Sequence, residues 1–326
     1  MMTAADMCAI VHVSCCHHMG SSRIMRVFIT GATGWVGSVV IEELQTAGHH
    51  IIGLARSEKA AAALEAIGVA VHRGSLEDLE SLRAGASAAD AVVHTAFNHD
   101  FSRFAENGVV EKRAIAALGE ALAGSGRTLL VTSGVARIAP GRLVTEDDLR
   151  DLSVPFPRDP ETAATAAAAR GVNVSVIRLS PSVHGAGETH GFLPRVIAAA
   201  RKHGVSAYVG EGDNFWPGVH RRDAARLYRL ALERSAKHAV YHAVAEEGVR
   251  FRDIAEVIGR QLNLPVASKT GSEVEAHFGD FAMFAQIDAR ASSAKTRATL
   301  GWEPTEPGIL SDLNGAAYFA SAMTRA

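Results

Sequence analysis

Residues 26–37, R-V-F-I-T-G-A-T-G-W-V-G, constrain this chain more than any other stretch. A short apolar strand runs into three glycines, Gly31, Gly34 and Gly37, and a helical pattern begins at once behind them. Glycines at such a junction let the backbone turn tightly and approach a phosphate. The helix behind them offers free N–H groups and the positive end of its dipole. A glycine triplet alone says little, but one that opens a βαβ run is a specific signal for a dinucleotide. Gly31, Thr33, Gly34, Trp35, Val36 and Gly37 are therefore the expected pyrophosphate contacts.

The alternation continues for another hundred residues. Helical spacing over about 35–47 stops at Gly48, and H-I-I-G-L follows as a second strand. A helix over about 57–67, the strand V-A-V-H, a helix near 76–82 and the strand A-V-V-H-T come next. A long helix over about 101–123 then leads to T-L-L-V-T. Short apolar strands alternating with helices predict an α/β fold, a Rossmann-type doubly wound parallel sheet covered on both faces.

The end of the second strand chooses between dinucleotides. A carboxylate there would bind the adenosine ribose of NAD, but the sequence reads L-A-R-S, with Ala55 at that place, then Arg56 and Ser57. A guanidinium suits a 2′-phosphate, so NADP(H) is the expected cofactor.

Composition narrows the class. With 48% hydrophobic residues among 326, the chain can bury a large core. A formal charge of −2 gives no basic face for nucleic acid, and no apolar run approaches the roughly 20 residues a membrane span needs. Cys8, Cys15 and Cys16 are all in the first 24 residues, which argues against a disulfide framework and for a reducing cytoplasm. His12, His17 and His18 accompany them, at spacings that match no zinc pattern, so no metal site is expected. Residues 1–24 read as a disordered leader, 25–177 as the nucleotide-binding domain, and 178–326 as mainly a substrate-binding lobe interleaved with it.

Several further segments resemble the extended and atypical short-chain dehydrogenase/reductases, the NAD-dependent epimerase/dehydratase family, over nearly everything after Met25. R-G-S-L-E-D at 73–78 is similar to the family's adenine segment, with Ser75 in place of the usual Asp and Leu76 against the base. V-V-H-T-A-F at 92–97 resembles the strand end that lines the cofactor, which implies contacts from Thr95, Ala96 and Phe97. L-L-V-T-S-G places Ser133 at the catalytic serine. I-R-L-S-P-S-V-H-G at 177–185 resembles the strand that brings Pro181, Ser182 and Val183 to the nicotinamide. W-P-G-V-H-R-R-D at 216–223 and the stretch 291–304 resemble signatures of the substrate lobe, with Trp216 as an expected cleft wall and Asp223 as an expected helix cap. The long helix at 101–123 resembles the family's dimerising helix, which implies a homodimer.

The family's proton-transfer pair, Tyr-x-x-x-Lys, has no counterpart here. None of Tyr208, Tyr228, Tyr241 and Tyr318 has a lysine four residues on, and the segment expected to carry the pair reads S-V-P-F-P-R-D-P-E at 153–161. Pro155 and Pro157 remove backbone donors, so the helix is expected to start at Asp159 as N-cap, with Pro160 in its first position and Gly171 beyond its end. The usual Asn of the fourth helix becomes Glu111. Reduction of a small carbonyl-type or imine substrate then falls to Ser133 as hydrogen-bond donor. The proton is then expected from His184, from Glu111, or from water. A nucleotide-sugar epimerase or dehydratase and a non-catalytic NADP(H) sensor are the alternatives.

Overall fold

The computed structural model describes residues 23–319 except 137, 140, 151, 152, 154, 155, 190, 235 and 236. The leader, with its cysteines and histidines, falls outside the described residues apart from 23 and 24, and so does Pro155. Strand β1 (Arg26–Thr30) is followed by α1 (Trp35–Thr46), β2 (His50–Ala55), α2 (Glu58–Glu65), β3 (Ala70–Arg73) and α3 (Leu79–Ser87). Next come β4 (Ala91–His94), α4 (Phe104–Leu122), β5 (Thr128–Gly134), α5 (Pro160–Ala168) and β6 (Asn173–Leu179). The remainder holds β7 (Ser182–His184), α6 (Phe192–His203), β8 (Ser206–Val209), β9 (Phe215–His220), α7 (Arg221–Arg234) and β10 (Val240–Ala243). It ends with β11 (Glu246–Arg250), α8 (Phe251–Leu262), β12 (Val266–Lys269), α9 (Ser272–Phe278), α10 (Ala282–Ala285), α11 (Ala294–Leu300) and α12 (Ile309–Asn314).

Seven parallel strands form the central sheet in the order β10-β6-β5-β4-β1-β2-β3. The order reverses between β1 and β4, and a doubly wound sheet opens its ligand crevice at that switch point. Strand alternation sends Leu129, Val131, Val174 and Val176 to the face packed by Ala114, Leu118, Ala163 and Ala167 of α4 and α5. Val27, Ile29, Val93, Leu130 and Ile177 face the other layer, against Val40 and Leu44 of α1 and Leu227 and Tyr228 of α7. Each such side chain contributes roughly 1.5–3 kcal/mol when fully buried. This is the α/β doubly wound architecture that the alternating pattern predicts. From beyond residue 178, β10 joins the central sheet beside β6, while β7, β9 and β11 make a small second sheet.

Two element boundaries move. The third helix starts at Leu79, not 76, because the Asp78 side chain accepts from Ser81 N at 3.0 Å and caps it. A 3₁₀ turn at Phe101–Arg103 precedes α4, where the helix was expected to be continuous. The start of α5 matches expectation: Asp159 accepts from Thr162 N at 3.3 Å and Pro160 opens the helix. The smaller lobe has its own core, in which Trp216, Phe251, Phe278, Phe281 and Phe284 pack among α6, α8, α9, α10 and α12. Trp216 is wholly buried there, so it is a core residue and not the expected cleft wall. Asp223 is not a cap either. Its carboxylate accepts from Thr305 N and Glu306 N at 2.9 and 3.1 Å and pairs with Arg226, tying the segment after α11 to α7.

Candidate active site

The glycine turn is fitted to its surroundings without room for a side chain. Gly31 has φ +72°, and a Cβ there would lie 2.8 Å from Ala96 N. A Cβ on Gly37 would come within 2.1 Å of the Gly31 carbonyl oxygen. Gly34 caps α1 in an extended conformation without a side-chain bond, and the first helical turn has no acidic residue. The amides of Trp35, Val36 and Gly37 therefore lack partners within the helix and stand open to an anion. Thr33 is exposed on the same turn.

Neighbouring elements close around this turn. Thr95 spends its hydroxyl on Thr30 O at 2.8 Å, which holds the end of β4 against the end of β1. Trp35 Nε1 donates to Val183 O at 2.6 Å and so brings Pro181, Ser182 and Val183 beside the turn. The Ser182 hydroxyl is buried there without a partner among the described residues. Arg221, which the sequence reading did not single out, lies over the Trp35 ring at 3.7 Å and donates to Ser38 Oγ at 2.9 Å. A guanidinium thus stands at the amino end of α1.

At the far side of the switch point, Ala55 ends β2 buried and Arg56 is exposed, with no hydrogen bond or ion pair among the described residues. Ser57 caps α2 by accepting from Ala60 N at 3.2 Å. Arg73 stands opposite Ala55 in the β2–β3 register and is gripped by Glu58 through contacts of 2.8 and 2.9 Å. Ser75 accepts from Glu77 N at 3.2 Å, and Leu76 is half-buried against the core.

The corner where Tyr and Lys would stand is built from charge. Alternation from Leu129 and Val131 turns Ser133 toward the α4 and α5 layer, and its hydroxyl has no hydrogen-bond partner among the described residues. Arg158, from S-V-P-F-P-R-D-P-E, reaches into this layer just ahead of α5. Its Nε and Nη2 engage both oxygens of the fully buried Glu111 at 2.6–3.2 Å, and Nη2 also donates to Thr132 O at 3.2 Å. The Phe97 ring lies under the guanidinium at 4.4 Å, leaving Ala96 as the link between that ring and Thr95. Burial pushes the Glu111 carboxyl up, and the Arg158 guanidinium pulls it back. Burial, and then the charge of Arg158, hold His94 down at about 3 and His99 at about 4, so both imidazoles are neutral at pH 7. His94 Nδ1 is 2.8 Å from Thr30 Oγ1, and its Nε2 is buried without a partner.

Arg158 therefore links Glu111 to Thr132, the chain neighbour of Ser133, and His184 stands apart. His184 is wholly buried in β7, with Nδ1 2.6 Å from an Asp312 oxygen. The sequence reading offered it as a proton donor. The structure instead uses it to hold α12 against the second sheet. Arg158 is the residue at this corner that the sequence reading missed. The available signal was a lone cation one position past Pro157, next to an N-cap, in the segment where a lysine was sought.

A parallel sheet with an uncapped glycine turn at its switch point defines a Rossmann-type dinucleotide-binding protein. Comparison with known proteins places the chain more narrowly. The model of the NAD dependent epimerase/dehydratase family matches residues 27–129. The uncharacterized protein C2A9.02 of Schizosaccharomyces pombe is 45% identical over 300 residues, spanning 90% of this chain and 100% of that one. The chain belongs to the NAD-dependent epimerase/dehydratase family. A 4-hydroxy-2-methyl-3-oxo-4-farnesyl-3,4-dihydroquinoline-1-oxide ketoreductase of Stigmatella aurantiaca is 28% identical over 78% of this chain and 80% of its own. Among solved structures, Bordetella bronchiseptica WbmG in complex with NAD and UDP superposes with a TM-score of 0.72 at 18% identity, over 93% of this chain and 96% of that one. Among the described residues, no helix is long and apolar enough to cross a membrane.

Proposed function

We propose that this protein is a nicotinamide-dependent oxidoreductase that uses NADP(H) to reduce a carbonyl-type or imine substrate. The observation that carries the reading is the unengaged Ser133 hydroxyl, held at the carboxyl end of β5 beside a buried Glu111–Arg158 pair. The residues present fit the cofactor. The open amides of α1 and the Arg221 guanidinium suit a pyrophosphate, Arg56 suits a 2′-phosphate, and the unpartnered Ser182 hydroxyl suits the polar nicotinamide end. When bound, a reduced nicotinamide supplies hydride. Ser133 would polarise the substrate oxygen, and the relative named as a ketoreductase supports a carbonyl substrate.

A second reading, nucleotide-sugar epimerisation or dehydration, draws on the likeness to WbmG, whose structure holds NAD and UDP. It is disfavoured by the absence of Tyr-x-x-x-Lys. A homodimer joined through the exposed face of α4, where Val109 is 48% exposed, belongs to the proposal, and so does a cytoplasmic setting. Light scattering at micromolar concentration tests the dimer, and a monomer mass would refute it.

The function is tested by following the nicotinamide absorbance over a panel of ketones, aldehydes, imines and nucleotide sugars. Substrate-dependent NADPH oxidation is expected, and Ser133→Ala should lower turnover by about 10²–10³, the scale of one lost oxyanion donor, with NADPH affinity nearly unchanged. NADPH binding without turnover across the panel would favour a sensor, and turnover confined to nucleotide sugars would favour the epimerase.

A further inference from the structure

The Glu111–Arg158 pair has a geometry that charge balance alone does not require. Glu111 takes up the edge of the guanidinium formed by Nε and Nη2. Nη2 spends a further hydrogen on Thr132 O, the carbonyl next to Ser133. Nη1 is left with two N–H donors and no partner among the described residues. It is not among the buried atoms that lack one, so solvent reaches it. The same holds for Ser133 Oγ. The Arg158 side chain is 20% exposed while its Glu111 partner is 1% exposed, so the pair is sealed on one side and open on the other. Phe97 lies against the guanidinium plane at 4.4 Å and limits its rotation.

We infer that Arg158 Nη1 and Ser133 Oγ together form the oxyanion site of this enzyme, so that a fixed guanidinium replaces the missing tyrosine as the group that stabilises charge on the substrate oxygen. This rests on the oxidoreductase reading. The carbonyl carbon accepts hydride, with the reduced nicotinamide as reductant. The π pair of the C=O bond moves onto oxygen, and that oxygen then takes a proton from water. A guanidinium cannot supply this proton, because it does not titrate in proteins. It lowers the energy of the alkoxide until water protonates it, and in a partly dry site such a donor acts more strongly than in bulk water. Glu111 is a positioning residue: it turns the guanidinium so that the Nη1 edge faces outward.

The test has two independent readouts on the full chain. The first is the ¹⁹F line width of trifluoroacetate, a small oxyanion, titrated against wild type, Arg158→Met, Arg158→Lys, Ser133→Ala and Glu111→Gln. Wild type should broaden the line. Arg158→Met and Ser133→Ala should each remove most of the broadening, and Arg158→Lys, which keeps the charge if the methionine variant fails to fold, should retain part of it. The second readout is NADPH-dependent turnover with the best carbonyl of the panel. Arg158→Met should lose about 10²–10³ in kcat with little change in KM, the pattern of a contact made mainly in the transition state. Broadening that depends on Arg158 and Ser133 without any turnover would uphold the oxyanion site and sink the reductase reading. Turnover with neither readout sensitive to Arg158 would sink the site alone. A wild type that neither broadens trifluoroacetate nor turns over overturns both.

Discussion

The two ends of the sheet's carboxyl edge are built on opposite principles. At the glycine turn and the end of β2, the proposed cofactor contacts are backbone amides and an exposed Arg56 that has no partner among the described residues. At the end of β5, the proposed substrate contacts are side chains drawn from different elements, with Glu111 wholly buried against Arg158 and His94 buried beside them. An exposed, unpaired contact can be gained or lost with little effect on the rest of the fold. A largely buried ion pair cannot, because removing one partner leaves the other charge in a mostly enclosed site. The first end should therefore respond to mutation in binding alone, and the second in stability as well.

The largest effect should come from the buried end. Glu111→Ala removes the only carboxylate that Arg158 contacts among the described residues, and breaking such a pair costs about 3–5 kcal/mol. Denaturant unfolding should show that loss, with Glu111→Gln milder because an amide still accepts from the guanidinium. A change under 1 kcal/mol for Glu111→Ala would mean the pair is open to water and the contrast between the two ends fails.

Acid should expose the same contrast. His94 titrates at about 3 in the folded chain against about 6.5 when free, lowered first by burial and then by Arg158. A depressed pKa contributes stability that is complete above the unfolded value and lost as pH falls from about 6.5 toward 3. In that window the unfolded state binds a proton that the folded state refuses. At about 1.4 kcal/mol per pH unit, the loss near pH 4.5 is on the order of 2–3 kcal/mol. Comparing wild type with His94→Gln by thermal melts separates this from the carboxylates, which titrate alike in both. Parallel curves for the two proteins would remove the imidazole from the account.

The sequence made one end legible and hid the other for a physical reason. Gly31, Gly34 and Gly37 lie within seven residues, and the strand before them and the helix behind them are local features, so the turn could be read from a single window. Arg56 was placed the same way, by counting from the strand. The start of α5 was legible too, since Asp159 and Pro160 act on their own helix end. The β5 corner is non-local. Glu111 and Arg158 are 47 residues apart in the chain, and their meeting depends on how α4 packs beside α5. Spacing alone could name Glu111 as the residue replacing an asparagine, but not what it holds. The enclosure of His184 was hidden for the same reason. Its partner Asp312 is 128 residues away, so sequence could not show that the imidazole is enclosed. Trp216 was taken for a cleft wall when Phe192 of α6, Phe251 of α8 and Phe281 pack around it.

The smallest expected effect belongs to the exposed end, and it decides the dinucleotide. Arg56 follows the last residue of β2, where a carboxylate would bind a ribose, and it is free of any partner among the described residues. A free guanidinium loses no existing ion pair when a 2′-phosphate arrives. Its gain is limited mainly by solvent screening and side-chain ordering. Arg56→Ala should accordingly weaken NADPH by about 1.5–3 kcal/mol, the scale of a charged hydrogen bond, leave NADH within experimental error, and not move the unfolding midpoint. Arg73, one strand over, is a control of the opposite kind, since Glu58 already occupies its fork. Fluorescence titration of both cofactors against Arg56→Ala and Arg73→Ala measures the difference. Equal losses of NADPH and NADH in Arg56→Ala would show that this arginine never meets the phosphate. A larger NADPH loss in Arg73→Ala would move the site to β3 and make it depend on releasing Glu58.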